Sequence, residues 1–143
     1  MSAELMRIKE LFFDRKAVKD VMDQRSREVL SHWGAFTRMT ARRSMRKLAH
    51  PAPPGKPPRV VKGTIKRLTF YSYDKTTRSA VAGPLLSVPF TNAPDNLEHG
   101  GLVRAHKKRP AYVIAPRPFM QPASDKANER LPDWWAKSLN KVT

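Results

Sequence analysis

Arg38, Arg42 and Arg46 recur at every fourth residue, the spacing that stacks side chains on one face of a helix. Arg43 and Lys47 flank them. Like charges so spaced repel by roughly 0.2–0.5 kcal/mol per pair. A polyanion facing the ridge would offset that repulsion through phosphate or carboxylate oxygens. The plainer alternative is a solvated helix face. No DNA- or RNA-binding motif accompanies the ridge, so a nucleic acid would be met through its phosphates and not its bases.

Bond-making chemistry has less to work with. His32, His50, His99 and His106 include no i, i+4 pair, no His-x-His and no His-Glu-x-x-His, so no metal site is indicated. There is no Walker loop, no Gly-x-Gly-x-x-Gly and no Gly-x-Ser-x-Gly elbow. With no cysteine, only Ser, Thr or Lys remains as a nucleophile. Glu98 beside His99 is the nearest approach to an acid–base pair, but in an extended stretch the two would point to opposite faces. The expectation is a protein that is not an enzyme and needs no cofactor.

The overall charge agrees with a binding role. Lys and Arg number 28 against 12 Asp and Glu, a formal net charge of +16. Residues 51–67 carry Lys56, Arg59, Lys62, Lys66 and Arg67 and no acid. Such a field favours nucleic acid or an acidic protein surface. A membrane is not expected as a partner: no run of 18 apolar residues exists, and no amphipathic helix pairs a broad apolar face with flanking lysines. The first residues lack the basic start and apolar run of a signal peptide, so synthesis in the cytosol is expected.

The elements that must position these groups fit one domain spanning 1–143. Residues 1–13 form a lead, strand or helix. Residues 14–48 read as a long helix, with Asp14 as N-cap and Val18, Val21, Met22, Val29, Trp33, Phe36 and Met45 at three- and four-residue intervals. Unbroken, it would be about 50 Å long, so it must bend or break near Gly34 or overhang the domain and pack on a neighbour. Residues 49–61 form a proline-rich arm. Residues 62–123 form a β region with loops. Within it 62–73 is a strand with Ile65, Leu68, Phe70 and Tyr71 as core candidates, paired through a polar turn at 74–77 with a strand at 79–84. Residues 96–99 are a helical turn or the start of a strand, 100–110 a basic loop, and 111–115 a third strand. A C-terminal helix and tail, 124–143, is capped by Ser124 or Asp125 and carries Leu131, Trp134, Trp135 and Leu139, with Pro132 limiting its regularity. Trp33 reads as core; Phe119 and the Trp134–Trp135 pair suit either core or a subunit interface.

Two runs stand out in that frame. Leu97-Glu-His-Gly-Gly101 ends a strand-like stretch in two glycines. Arg117-Pro-Phe-Met-Gln-Pro-Ala123 is a stiff apolar plug, with proline fixing φ on either side of a Phe-Met pair. They follow Ala-Arg-Arg-Ser-Met-Arg-Lys (41–47), Pro-Ala-Pro-Pro-Gly-Lys-Pro-Pro (51–58), Lys-Gly-Thr-Ile-Lys-Arg (62–67), Phe-Tyr-Ser-Tyr-Asp (70–74) and Ser-Ala-Val-Ala-Gly-Pro (79–84). Taken in order, over residues 12–139, these runs resemble the tail-completion, or head–tail joining, family of tailed bacteriophages. The residues that carry the resemblance are Gly63, Asp74, Gly83, Pro84, Glu98, Gly100, Arg117, Pro118, Phe119 and Pro122. Lys-Gly-Thr stands where Thr-Gly is commoner, and His99 where an aromatic is usual.

The resemblance implies an α+β subunit: a small antiparallel sheet with a long N-terminal helix packed across it, a proline-rich arm and a short C-terminal helix. Such subunits form rings, often six-fold, at the junction of head and tail. Their partners are copies of themselves and other neck, portal-side and tail-tube proteins, with phage DNA passing non-specifically through the channel. The protein would reside in the virion, and in the host cytoplasm during assembly. On this reading Pro54, Gly55, Pro57 and Pro58 of the arm, and Arg104, Lys107 and Lys108 of the basic loop, would touch neighbouring subunits. The ridge of Arg38, Arg42, Arg43, Arg46 and Lys47 would face the DNA path or an acidic neighbour. The rival expectation is a basic RNA-binding protein of ribosomal type.

Overall fold

The computed structural model describes residues 15–60, 63–85, 93–103 and 110–140. In chain order these form α1 (Arg15–Ser44), α2 (Thr64–Leu68), β1 (Thr69–Asp74), β2 (Ser79–Pro84), α3 (Ala93–His99), β3 (Gly101–Val103), β4 (Tyr112–Ile114) and α4 (Gln121–Leu139). The class is α+β. In place of one small sheet, the strands form two separate antiparallel pairs, β1–β2 and β3–β4.

α1 is one helix of 30 residues, about 45 Å long at 1.5 Å per residue. Asp14, the expected N-cap, lies outside the described residues. The buried stripe is Val29, Gly34, Thr37 and Ala41, continued past the helix by Met45. The helix does not break at Gly34. A Cβ there would lie 2.8 Å from Cδ2 of Tyr71, so the glycine admits β1 against the helix and is no hinge. Residues 15–22 are all exposed, Val18, Val21 and Met22 among them. The excess length is therefore accommodated by overhang, and no described residue covers it.

The helix ends at Ser44, short of the expected 48. Ser44 Oγ donates to the Ala41 carbonyl at 2.7 Å. Beyond it, Lys66 Nζ donates to the Met45 carbonyl at 3.3 Å and the Val60 N–H to the Arg46 carbonyl at 3.0 Å. Acceptors at a helix end need such partners. Supplied from the arm and α2, they let the chain leave the helix before the prolines begin.

The expected strand at 62–73 starts only at Thr69. Gly63, at φ +71°, turns the chain into a short helical segment in which the Arg67 N–H reaches the Gly63 carbonyl at 2.9 Å. Thr69 Oγ1 closes that turn on the Ile65 carbonyl at 2.8 Å. β1 and β2 then pair from Thr69↔Pro84 to Asp74↔Ser79. The face carrying Tyr71 meets α1; the other carries Phe70 and Val81, 45% and 65% exposed. Of the four expected core residues only Ile65 packs on the core. Leu68 is half-buried, and Phe70 and Tyr71 are exposed. A two-stranded hairpin has one face to give the helix, so its other face stays in water.

The core is Ala41, Met45, Val60, Phe119 and Ala123, with Ile65, Leu97 and Met120 packed around it. α4 runs antiparallel to α1: Met45 meets Ala123 while Val29 lies beside Ser138. Between them Trp134 stands edge-on to His32 and Phe36, with ring centroids 4.5 and 5.4 Å away. Trp33 is half-buried, not core, because its Nε1–H donates to Asn128 Oδ1 at 2.9 Å on the partly wet rim of that seam. α4 begins at Gln121, ahead of Ser124 and Asp125, and continues through Pro132 as one helix.

Candidate nucleic-acid interface and its brace

The 97–101 run is not strand-like. Leu97, Glu98 and His99 close α3, and Gly100 at φ +75° ends it. A Cβ on Gly100 would lie 2.9 Å from the Ile114 carbonyl oxygen and 3.0 Å from the Pro116 ring. Only glycine fits this φ and this space, and β3 can start there against β4. The helix turns the Glu98 carboxylate towards the start of α4. It accepts from the N–H groups of Phe119 at 2.9 Å, Met120 at 3.0 Å and Gln121 at 2.7 Å. The first N–H groups of a helix have no partner within it, and a carboxylate suits the positive end of its dipole. Glu98 is thus the cap of α4, and Pro122, with no N–H, adds no further donor to satisfy.

Arg117 extends the brace. Its N–H donates to the Leu97 carbonyl at 2.6 Å, and its Nε to the Ala52 carbonyl at 2.8 Å. The Gly55 N–H donates to the Pro116 carbonyl at 2.9 Å. The arm is therefore stapled to its own chain. Pro58 is fully buried, which overturns its assignment as a subunit contact; Pro54 and Gly55 are exposed and Pro57 is half-buried. Pro118 is half-buried and Phe119 is core. Asp74 holds the hairpin turn, accepting from the Thr76 N–H and the Thr77 hydroxyl, both at 2.8 Å. The Thr76 bond, then that of Thr77, keeps its carboxyl below the ordinary carboxylate range. Pro84 ends β2. A Cβ at Gly83 would meet nothing, so packing gives no reason for that glycine.

The basic ridge does not survive as drawn, because Arg46 and Lys47 lie beyond the end of α1. Arg38 serves the hairpin: its Nε donates to the Thr69 carbonyl at 2.9 Å, and its guanidinium lies 5.7 Å from the centre of the Phe70 ring. Arg42 is half-buried, while Arg43, Arg46 and Lys47 are exposed. The break in the helix turns Arg43 and Arg46 towards Lys56 and Arg59 of the arm, around a concavity of about 500 Å³. Arg104, Lys107 and Lys108 lie outside the described residues.

No protein-family model, curated protein or solved structure matches the chain. Its chemistry is read from its own groups. Among the described residues no three His, Cys, Asp or Glu side chains gather as a metal site, and no helix is long and apolar enough to cross a membrane. His99 lies 3.7 Å from Asp95, both side chains exposed to solvent. Glu98, with both oxygens accepting backbone hydrogen bonds, is committed to the brace.

Sequence reasoning counted Lys56 and Arg59 without placing them. The available signal was the absence of any Asp or Glu between Glu28 and Asp74, which leaves the end of α1 and the whole arm without an internal counter-charge.

Proposed function

We propose that the chain is a structural, non-enzymatic subunit of the head–tail joint of a tailed bacteriophage. Copies of it close into a ring, six-fold in the family it resembles, through which DNA passes. The observation that carries this reading is the closure of the 97–101 run on the 117–123 run. Glu98, Gly100, Arg117, Phe119 and Pro122 make one brace that fixes α4 and anchors the arm. The two most distinctive segments of the resemblance thereby share a single physical task.

Exposed apolar surface supports an assembled state. Phe70 and Val81 on one hairpin, and Leu102 and Val113 on the other, face away from the core. Two-stranded sheets are marginal in water and leave unpaired edges. A head-to-tail ring covers such surfaces by fitting one face of a copy to a different face of the next. The test is the particle. Quantitative mass spectrometry and antibody labelling of purified virions should find a ring's complement of copies at the neck. Absence from the neck would remove this reading. The ribosomal-type alternative separates in solution. Ring-sized mass, with RNA bound no more tightly than duplex DNA, is expected; a monomer that binds RNA much more tightly than DNA would favour the alternative.

A further inference from the structure

Arg43 and Arg46 from the end of α1 and Lys56 and Arg59 from the arm line one concavity of about 500 Å³. All four side chains are exposed, and none joins an ion pair among the described residues. No acidic residue lines the cleft. We propose that this cleft binds the phosphodiester backbone of a nucleic-acid duplex without reading its sequence. The proposal deepens the reading above by locating the contact with the nucleic acid.

Three of the four cations are guanidiniums, whose planar forks match phosphate oxygens two at a time. A helix C-terminus ordinarily repels an anion through its free carbonyls. Here the Ser44 hydroxyl donates to the Ala41 carbonyl in the last turn. Just past the helix end the carbonyls of Met45 and Arg46 are engaged by the Lys66 ammonium and the Val60 N–H, so the chain at this end turns fewer free carbonyls to the cleft. The cleft wall is held before binding: the arm is tied by Arg117 to Ala52, by Gly55 to Pro116, and by the buried Pro58. Little backbone freedom is lost when a ligand arrives. The remaining lining is mainly Ala52, Pro53 and Pro57. No aromatic ring offers a stacking platform and no Asn or Gln offers a fork for a base edge, so bases go unread. A duplex presents one charge per about 1.7 Å of axis, a density that four unneutralised cations in one cleft match better than they match scattered surface carboxylates.

The test uses the full chain, a short fluorescent DNA duplex and a salt series. The cleft variant is R43Q/R46Q/K56Q/R59Q. The control, R15Q/K19Q/K126Q/K137Q, removes the same charge from exposed positions elsewhere. Unfolding midpoints confirm that both variants fold. The slope of log affinity against log salt should become shallower by about 3.6 in the cleft variant, at about 0.9 for each of four phosphates no longer neutralised, and by less than about 1 in the control. Equal losses in the two variants would overturn the proposal, since net charge alone would then govern binding. An RNA hairpin of equal phosphate number should bind comparably; much tighter RNA binding would overturn sequence-blind phosphate contact. Poly-glutamate displacing the duplex better than unlabelled DNA would overturn it in favour of an acidic protein. The assay does not depend on ring closure. DNA binding through the cleft by a protein absent from the neck would uphold the cleft and remove the ring, and the converse result would separate them the other way.

Discussion

Phe119 is 1% exposed, and Val113, close before it in the chain, is 77% exposed. Between them the molecule passes from a segment whose groups are satisfied within the chain to one that leaves apolar surface in water. The brace at 117–123 has a carboxylate cap from α3, a side-chain tie to the arm and a place in the core. The β3–β4 pair has three residues per strand, from Gly101↔Ile114 to Val103↔Tyr112, and exposes Leu102, Tyr112 and Val113. The difference is the one the proposed assembly would use: one region is satisfied within the subunit, and the other would be covered by a neighbouring copy.

The largest expected effect lies in the brace. Phe119→Ala should destabilise the chain by about 3–5 kcal/mol in denaturant titrations, since it empties a core position between Met45 and Ala123. A loss below about 1 kcal/mol would place Phe119 outside the cooperative core. Next comes Glu98→Ala, which strands three backbone donors and should lower stability by about 1–3 kcal/mol. Glu98→Gln, which keeps one carbonyl oxygen, should cost less. An equal loss in both would show that charge, and not acceptor geometry, makes the cap.

The hairpins should respond differently. Val113→Ser is expected to leave monomer stability within about 0.5 kcal/mol, as surface changes do. Its effect should be seen instead as weaker self-association by light scattering. A stability loss like that of Phe119→Ala would erase the contrast. The smallest effect belongs to the β1–β2 turn. The folded-state pKa of Asp74 is lowered from the ordinary 3.8. Its contribution is therefore present above that value and fades as pH falls through the lower, folded one. Asp74→Asn should remove this acid sensitivity, read as turn-amide exchange against pH, and leave the brace unchanged.

Long-range partners mark the limit of what was legible. The existence of α1 follows from apolar spacing, but its buried stripe does not. Val29 is buried on the helix and Met45 just beyond its end, while Val18, Val21 and Met22 are exposed and the small residues Gly34, Thr37 and Ala41 take the contact. The start of α4 was misplaced because its cap is Glu98, distant in sequence, and not a neighbouring Ser124 or Asp125. The end of α1 was overrun because Ser44 to His50 holds no Gly or Pro, and the terminating hydrogen bonds come from Val60 and Lys66. That overrun also drew the cations as a ridge on one helix, where the fold gathers Arg43 and Arg46 with the arm. The α2 turn was hidden by β-branched residues whose strand preference depends on context. Glu98 was marked by the resemblance, but its task could be seen only once α3 and α4 were set together.

Amide hydrogen exchange, followed at protein concentrations below and above self-association, tests the contrast most directly. The Phe119, Met120 and Gln121 amides should be equally protected in both states, and the β3–β4 amides should gain protection only on assembly. Brace amides that become protected only on assembly, or hairpin amides already protected in the free chain, would contradict the division between a self-sufficient brace and assembly-facing hairpins.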